Sequence, residues 1–257
     1  MAWNTESDAV RKLINGRRAT TIAETVDIMT ALDGTLPDVD GLKWFNRLYL
    51  QVTLAVRDAV TTTTFRDPAF LATLDVVFAN LYFDAVAAGE SDPASAPSAW
   101  RPLFECRHRQ GIRPIQFALA GMNAHINRDL PEGIVATYRA TDGAPVQGSE
   151  RHEDFEKVND LLEAVETQIK AEFSTGLVMI VDVACGDMDD AMAMWKVRAA
   201  RAAAWTNAEV LWALRSIPTL RQRFFSRLDS FTGFAGRGLL VPTARLTNAK
   251  RGAYADD

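Results

Sequence analysis

Residues 113–131 read RPIQFALAGMNAHINRDLP, and the fold turns on this stretch. Projected at about 100° per residue, Ile115, Leu119, Met122, Ile126 and Leu130 share one face, which is the period of a helix and not of a strand. His125 and Asp129 sit on one shoulder of that face, one turn apart. Gln116, Asn123 and Asn127 line the other shoulder, and Phe117, Gly121, Ala124 and Arg128 fill the remaining side. A helix with so few charges around its circumference is expected to be covered on most sides, which makes 113–130 the central element.

The same period recurs on either side of it. Ile22, Val26, Met29 and Leu32 are helically spaced and stop at Asp33-Gly34, with Pro37 beyond. Across 42–60 one face carries Phe45, Leu48, Tyr49, Val52, Val56 and Ala59, with Arg47 on another. Asp67 and Pro68 open an almost wholly apolar helix over 70–88: aspartate caps the free N–H groups, and proline costs nothing at the first helical position. Its polar exceptions are Asp75, Asn80, Tyr82 and Asp84. GESDPASAPSA (89–99) is the clearest loop. Pro131 closes the regular part of the central stretch, with a brief helical segment to Arg139 after it.

Farther on, Phe155, Val158, Leu162, Val165, Ile169 and Phe173 keep a period near 3.6, up to a possible break at Gly176 and a β-branched run over 178–183. DMDD (187–190) opens a long helix stopped by Pro218, and 220–234 is the last helical region. No alternating run long enough for a sheet is present. The expected architecture is all-α: a single-domain bundle of roughly eight or nine helices over 20–242, with an N-terminal arm or short helix at 1–19 and a polar tail at 243–257.

Composition narrows the classes of function. Apolar residues make up 48% of the 257 and charged residues 24%, ordinary globular values. A net charge of −5 argues against nucleic acid as a partner, since phosphate binding needs clustered Lys and Arg. No segment reads as a membrane span of about 20 apolar residues or as a secretory leader. Cys106 and Cys185, far apart and without paired spacing, read as buried thiols in a reducing compartment, so the expected location is cytoplasmic.

The chemistry-bearing residues are few. His125 and Asp129, at i and i+4, can hydrogen-bond each other; a carboxylate beside an imidazole raises its pKa and fixes its tautomer, as a general base requires. The same polar groups can equally form a structural network, because buried amides, imidazoles and carboxylates must find partners. His152 shares a helical face with Phe155 and Asn159, and if that helix packs on the central one, His152 approaches His125. His125, Asp129 and His152 then offer the ligand types of a divalent metal site, without a known spacing. Nothing in the sequence requires a cofactor.

Trp195, Arg198, Ala202, Trp205, Glu209 and Trp212 form a stripe at helical steps, able to line an apolar pocket with charged groups that orient an anionic ligand. Arg47 and Arg107 can bind a carboxylate or phosphate through the guanidinium fork. Asp187, Asp189 and Asp190 resemble the aspartate-rich magnesium motif of terpene cyclases but lack its third acid at the needed offset; as first-turn acids they complement a helix dipole. There is no P-loop, no G-x-G-x-x-G after a strand, no G-x-S-x-G and no H-E-x-x-H.

Taken together, GLKWFNRLYLQVTLAVRDAV, LDVVFANLYFDA, QFALAGMNAHINRDLP and the Trp-rich segment ending AEVLWALR resemble a bacterial DUF5995-like family, a domain of unknown function, over residues 22–242. The resemblance implies no reaction. HINRDL is also similar to the H-x-x-x-D segment of helical zinc-dependent phospholipases C, whose companion histidines are missing here.

The leading expectation is an intracellular enzyme acting on a small, largely apolar molecule with an anionic or carbonyl group, of hydrolase, cyclase/lyase or isomerase type. His125, oriented by Asp129, serves as general acid/base, with Asn123 and His152 beside it; Arg47, Arg107, Gln116, Asn127, Trp195, Arg198 and Trp205 bind the substrate. The alternatives are a non-catalytic small-molecule-binding or interaction protein with a structural polar network, and a metal-dependent hydrolase using His125, Asp129 and His152.

Overall fold

Side-chain caps set where several helices begin. Thr21 accepts from the Glu24 N–H while Glu24 accepts from that of Thr20, opening α2 (Ile22–Thr35). Asp40 accepts from Leu42 N–H at the start of α3 (Gly41–Val60), and Asp67 from Phe70 N–H at the start of α4 (Pro68–Ser91), with Pro68 in the first turn as its spacing predicts. A computed structural model describes residues 2–61, 65–177 and 197–242. The remaining helices are α1 (Ala2–Ile14), α5 (Arg101–Cys106), α6 (Pro114–Ala124), α7 (Leu130–Ala140), α8 (Glu150–Leu177), α9 (Val197–Ala213) and α10 (Pro218–Leu239). No strand occurs among the described residues, and the protein is an all-α bundle.

The central stretch is longer than its sequence pattern promises. Pro131 has no N–H to give to the carbonyl four residues back, and its ring crowds that carbonyl, which normally kinks or ends a helix. Here the turn widens instead. His125–Asp129 is π-helical, Leu130 N–H bonds back to the His125 carbonyl, and the chain runs through Pro131 into α7. One continuous rod, α6–π–α7, therefore runs from Pro114 to Ala140.

That rod is the shared wall of two hydrophobic clusters. Phe117, Ala120 and Ala124 of α6 face the first, with Phe45, Tyr82 and Trp100 at its centre. From the π turn onward, Ile126, Leu130, Ile134 and Tyr138 face the second, with Phe70, Phe155 and Trp205. α3, α4, α9 and α10 surround the rod, so it is covered on most sides as its low charge implies. Two of the closest approaches are made at glycines. A Cβ at Gly121 would stand 2.3 Å from Phe45 Cγ, and one at Gly233 of α10 would stand 2.2 Å from the Ser98 carbonyl oxygen.

Three expectations change in detail. The 1–19 stretch contributes α1, whose Val10 and Ile14 are buried in the first cluster. Gly176 does not break α8, which reaches Leu177. α4 is long and apolar enough to cross a membrane by length and composition, contrary to the expectation that no segment approaches this; 56% of its apolar window is buried in the bundle, as a core helix requires. Cys185, Trp195, the aspartates at 187–190, the 178–183 run and the 243–257 tail lie outside the described residues.

Candidate functional site

The π turn brings His125 and Asp129 together at the junction of the two clusters. His125 Nδ1 lies 3.0 Å from Asp129 Oδ2, and the Trp100 indole N–H donates to the same oxygen at 2.8 Å. Arg128 donates to Asp129 Oδ1 at 2.6 Å. Its Nε faces Asp229 at 3.4 Å, and Asp229 in turn accepts the backbone N–H groups of Ser98 and Ala99. One buried carboxylate thus joins the rod, α10 and the loop leading to Trp100.

Aromatic rings enclose the imidazole. Phe78 lies flat against it with centroids 3.5 Å apart, and Tyr49, Phe45 and Trp100 meet it at 4.5, 5.7 and 6.0 Å. Only 2% of His125 is exposed. Burial lowers its pKa more than Asp129 raises it, so the ring is neutral at pH 7. This reverses the direction expected from the pair alone, because in this cage desolvation outweighs one carboxylate. With Nδ1–H held by Asp129, the unprotonated Nε2 is buried and has no hydrogen-bond partner.

Two further polar atoms near the cage lack partners. The Tyr49 hydroxyl, beside Thr53, makes no hydrogen bond of normal geometry, and neither does Asp75 Oδ2. Burial, followed by the charges of Asp75 and Asp129, pushes the Tyr49 hydroxyl well above its ordinary pKa. Burial alone pushes Asp75 from 3.8 to about 7. An acid held protonated by folding favours the native state at low pH. The unfolded chain ionises first as pH rises past 3.8, so stability falls until Asp75 itself ionises near 7 and is constant above that. Asp75→Asn is therefore expected to stabilise the protein at pH 8 by about 2 kcal/mol, roughly half of what a three-unit shift carries because the new amide also needs partners, and to have little effect at pH 4. Urea denaturation at the two pH values measures this; an equal effect at both would show that Asp75 ionises normally.

The other expected site residues are held elsewhere. Asn127 donates to Asn123, and Asn123 donates to the Thr232 carbonyl of α10 at 2.9 Å. Gln116 accepts from Arg113 N–H and donates to the carbonyls of Leu239 and Val241. This shoulder fastens the rod to α10. Arg107 is buried against Asp40 and Glu90, Arg47 is paired with Asp33, and half-exposed Arg198 is paired with Asp160 and Glu163. Each guanidinium is held by carboxylates of the chain itself, away from the His125 cage.

His152 does not join His125. Its ring packs 4.8 Å from Trp205 and 6.4 Å from Phe155, because α8 meets α9 there and the rings facing His125 come from α3, α4 and the Trp100 turn. The set His125, Asp129 and His152 is therefore not assembled, and no group of three His, Cys, Asp or Glu among the described residues is arranged to hold a metal ion. The sequence reading missed Trp100, Tyr49, Phe78 and Asp75. Asp75, one of two aspartates within an almost wholly apolar helical stretch, carried a visible signal, whereas the roles of Trp100 and Phe78 depend on long-range packing.

No curated protein and no solved structure matches the chain. The model of a family described as of unknown function, DUF5995, matches residues 22–242, most of the chain, and the protein belongs to that family.

Proposed function

We propose that the protein is an intracellular enzyme that uses His125 as a general acid/base on a small, largely apolar molecule bearing a carbonyl or anionic group. The observation that carries this reading is the state of His125: Nδ1–H held by a fixed carboxylate, Nε2 free of partners. A neutral imidazole anchored in this way accepts a proton at Nε2 and returns it, with Asp129 stabilising the charged intermediate state. The apolar cage suits an apolar substrate; Tyr49, and Asp75 in its protonated form below about pH 7, are hydrogen-bond donors for a carbonyl or carboxylate oxygen. Hydrolysis and isomerisation through an enol both need this proton transfer.

The face-to-face contact of Phe78 with His125 favours a second reading, in which the network only locks the rod in place. Turnover separates the two. Wild type and His125→Gln are compared on p-nitrophenyl butyrate, a γ-lactone and deuterium exchange into cyclohexanone. The expected result is wild-type activity on one of these classes and a loss of about 100-fold or more in a folded His125→Gln variant. Equal rates for both proteins on every probe would support the structural network.

A further inference from the structure

A second polar pocket lies between α8 and α9, apart from the His125 cage. His152 and Glu156 of α8 and Ala202, Ala203, Trp205 and Thr206 of α9 line a half-open space of about 370 Å³, within the usual size for a small-molecule site. Its hydrogen bonding is incomplete. His152 Nδ1 accepts the Gly148 N–H at 3.1 Å, which leaves the proton of the neutral ring on Nε2. That Nε2 stops 3.9 Å from Glu156 Oε1, too far for a hydrogen bond. Glu156 Oε2 accepts from Asn159, but Oε1 is buried with no partner. Trp205, 1% exposed, likewise has no acceptor for its indole N–H.

The formal charge in the pocket lining has one sign. Glu156 is the single formally charged side chain in its lining. Gln147, which also lines it, gives its backbone N–H to Glu209 at 2.6 Å, placing a second carboxylate close by. A buried cation, Arg201, is outside the lining; it is hydrogen-bonded to Asn159 and to the Phe155 carbonyl, each at 2.8 Å, and interacts with Glu156 through charge alone, without a hydrogen bond to it. An unpartnered carboxylate oxygen beside an indole, with alanine methyls on the same wall, matches a positively charged nitrogen on a short alkyl chain.

We propose that the α8/α9 pocket binds a small primary alkylammonium, its N–H groups directed to Glu156 Oε1 and its alkyl chain laid on Ala202, Ala203 and the Trp205 ring. The site is independent of His125 and adds a binding function at the other end of the rod, over the second cluster.

The test is a titration of the full chain with n-butylammonium chloride, followed through the Trp205 indole signal in ¹H–¹⁵N spectra, with sodium chloride, n-butanol and sodium butyrate as controls. The expected result is a saturable shift with the ammonium alone, weakened about tenfold or more in Glu156→Gln. Ala203→Lys, at an exposed position of the pocket wall, places a competing cation there and is expected to abolish the shift. No saturable shift, an equal shift with butanol or butyrate, or an unchanged affinity in both variants would overturn the proposal.

Discussion

Asp129→Ala is expected to lower stability by about 3–5 kcal/mol, the cost of removing one partner from a buried charged network. Asp129 is fully buried and is the shared acceptor for the Trp100 indole, His125 and Arg128. Without it, two buried N–H donors and a largely buried guanidinium lose their acceptor together. Asp229 retains Arg128 only in part, through a contact of 3.4 Å. For a domain of this size the loss corresponds to a fall in Tm of roughly 10 °C or more, measurable by calorimetry. A shift of only a degree or two would mean that the carboxylate is not the junction described above.

The second large effect lies at the opposite side of the first cluster. Arg107→Met is expected to cost a similar 3–5 kcal/mol. Arg107 is clamped between Asp40 and Glu90, whose side chains are 1% and 2% exposed. Burial works against its charge, but the two carboxylates outweigh this and its pKa is raised. Asp40 also caps α3, Glu90 accepts the Ser7 hydroxyl, and the Arg107 carbonyl accepts the Gly41 N–H, so the cluster ties together α1, α3 and the ends of α4 and α5. Removing the guanidinium leaves two negative charges buried side by side. Adding Asp40→Asn and Glu90→Gln to Arg107→Met should regain part of the loss, because the uncompensated charges and not the missing side chain carry most of the cost. Chemical denaturation of the single and triple variants tests this, and a triple variant less stable than the single one would contradict it.

Much of this fold can be read from local pattern. The apolar period of 113–130, the Asp67-Pro68 start of α4 and the face of 42–60 follow from helical geometry and capping, which depend on neighbours three or four residues away. What was not legible depends on distant parts of the chain. Pro131 ordinarily marks a stop, and a widened π turn that carries the helix past it, in a rod packed against α3, α4, α9 and α10, is not written in the local pattern. Trp100 finds its acceptor 29 residues away, across a loop whose composition says nothing of it.

The site divides in the same way. His125 and Asp129 were legible because their spacing alone lets them meet. Arg47, Arg107 and Arg198 looked available for a ligand because their partners, Asp33, Asp40, Glu90, Asp160 and Glu163, lie on other elements or at other levels of the sequence. The direction of the His125 pKa was misread for the same reason. The carboxylate is local, whereas the desolvating rings of Phe78, Tyr49 and Phe45 arrive from α3 and α4.

The proposed acid/base role requires His125 to present a neutral, reactive Nε2 to a small carbonyl compound. Diethyl pyrocarbonate is such a compound and acylates unprotonated imidazole nitrogen, so peptide mapping of the treated native protein reads that atom directly, with His152 and His108, a partly exposed histidine just past α5, as internal references. The expected result is that His125 is acylated in the folded protein at pH 7 and that Asp129→Asn, by releasing Nδ1–H, changes its rate relative to the two references. A His125 that stays unmodified until the protein is unfolded, while His108 and His152 react, would contradict it.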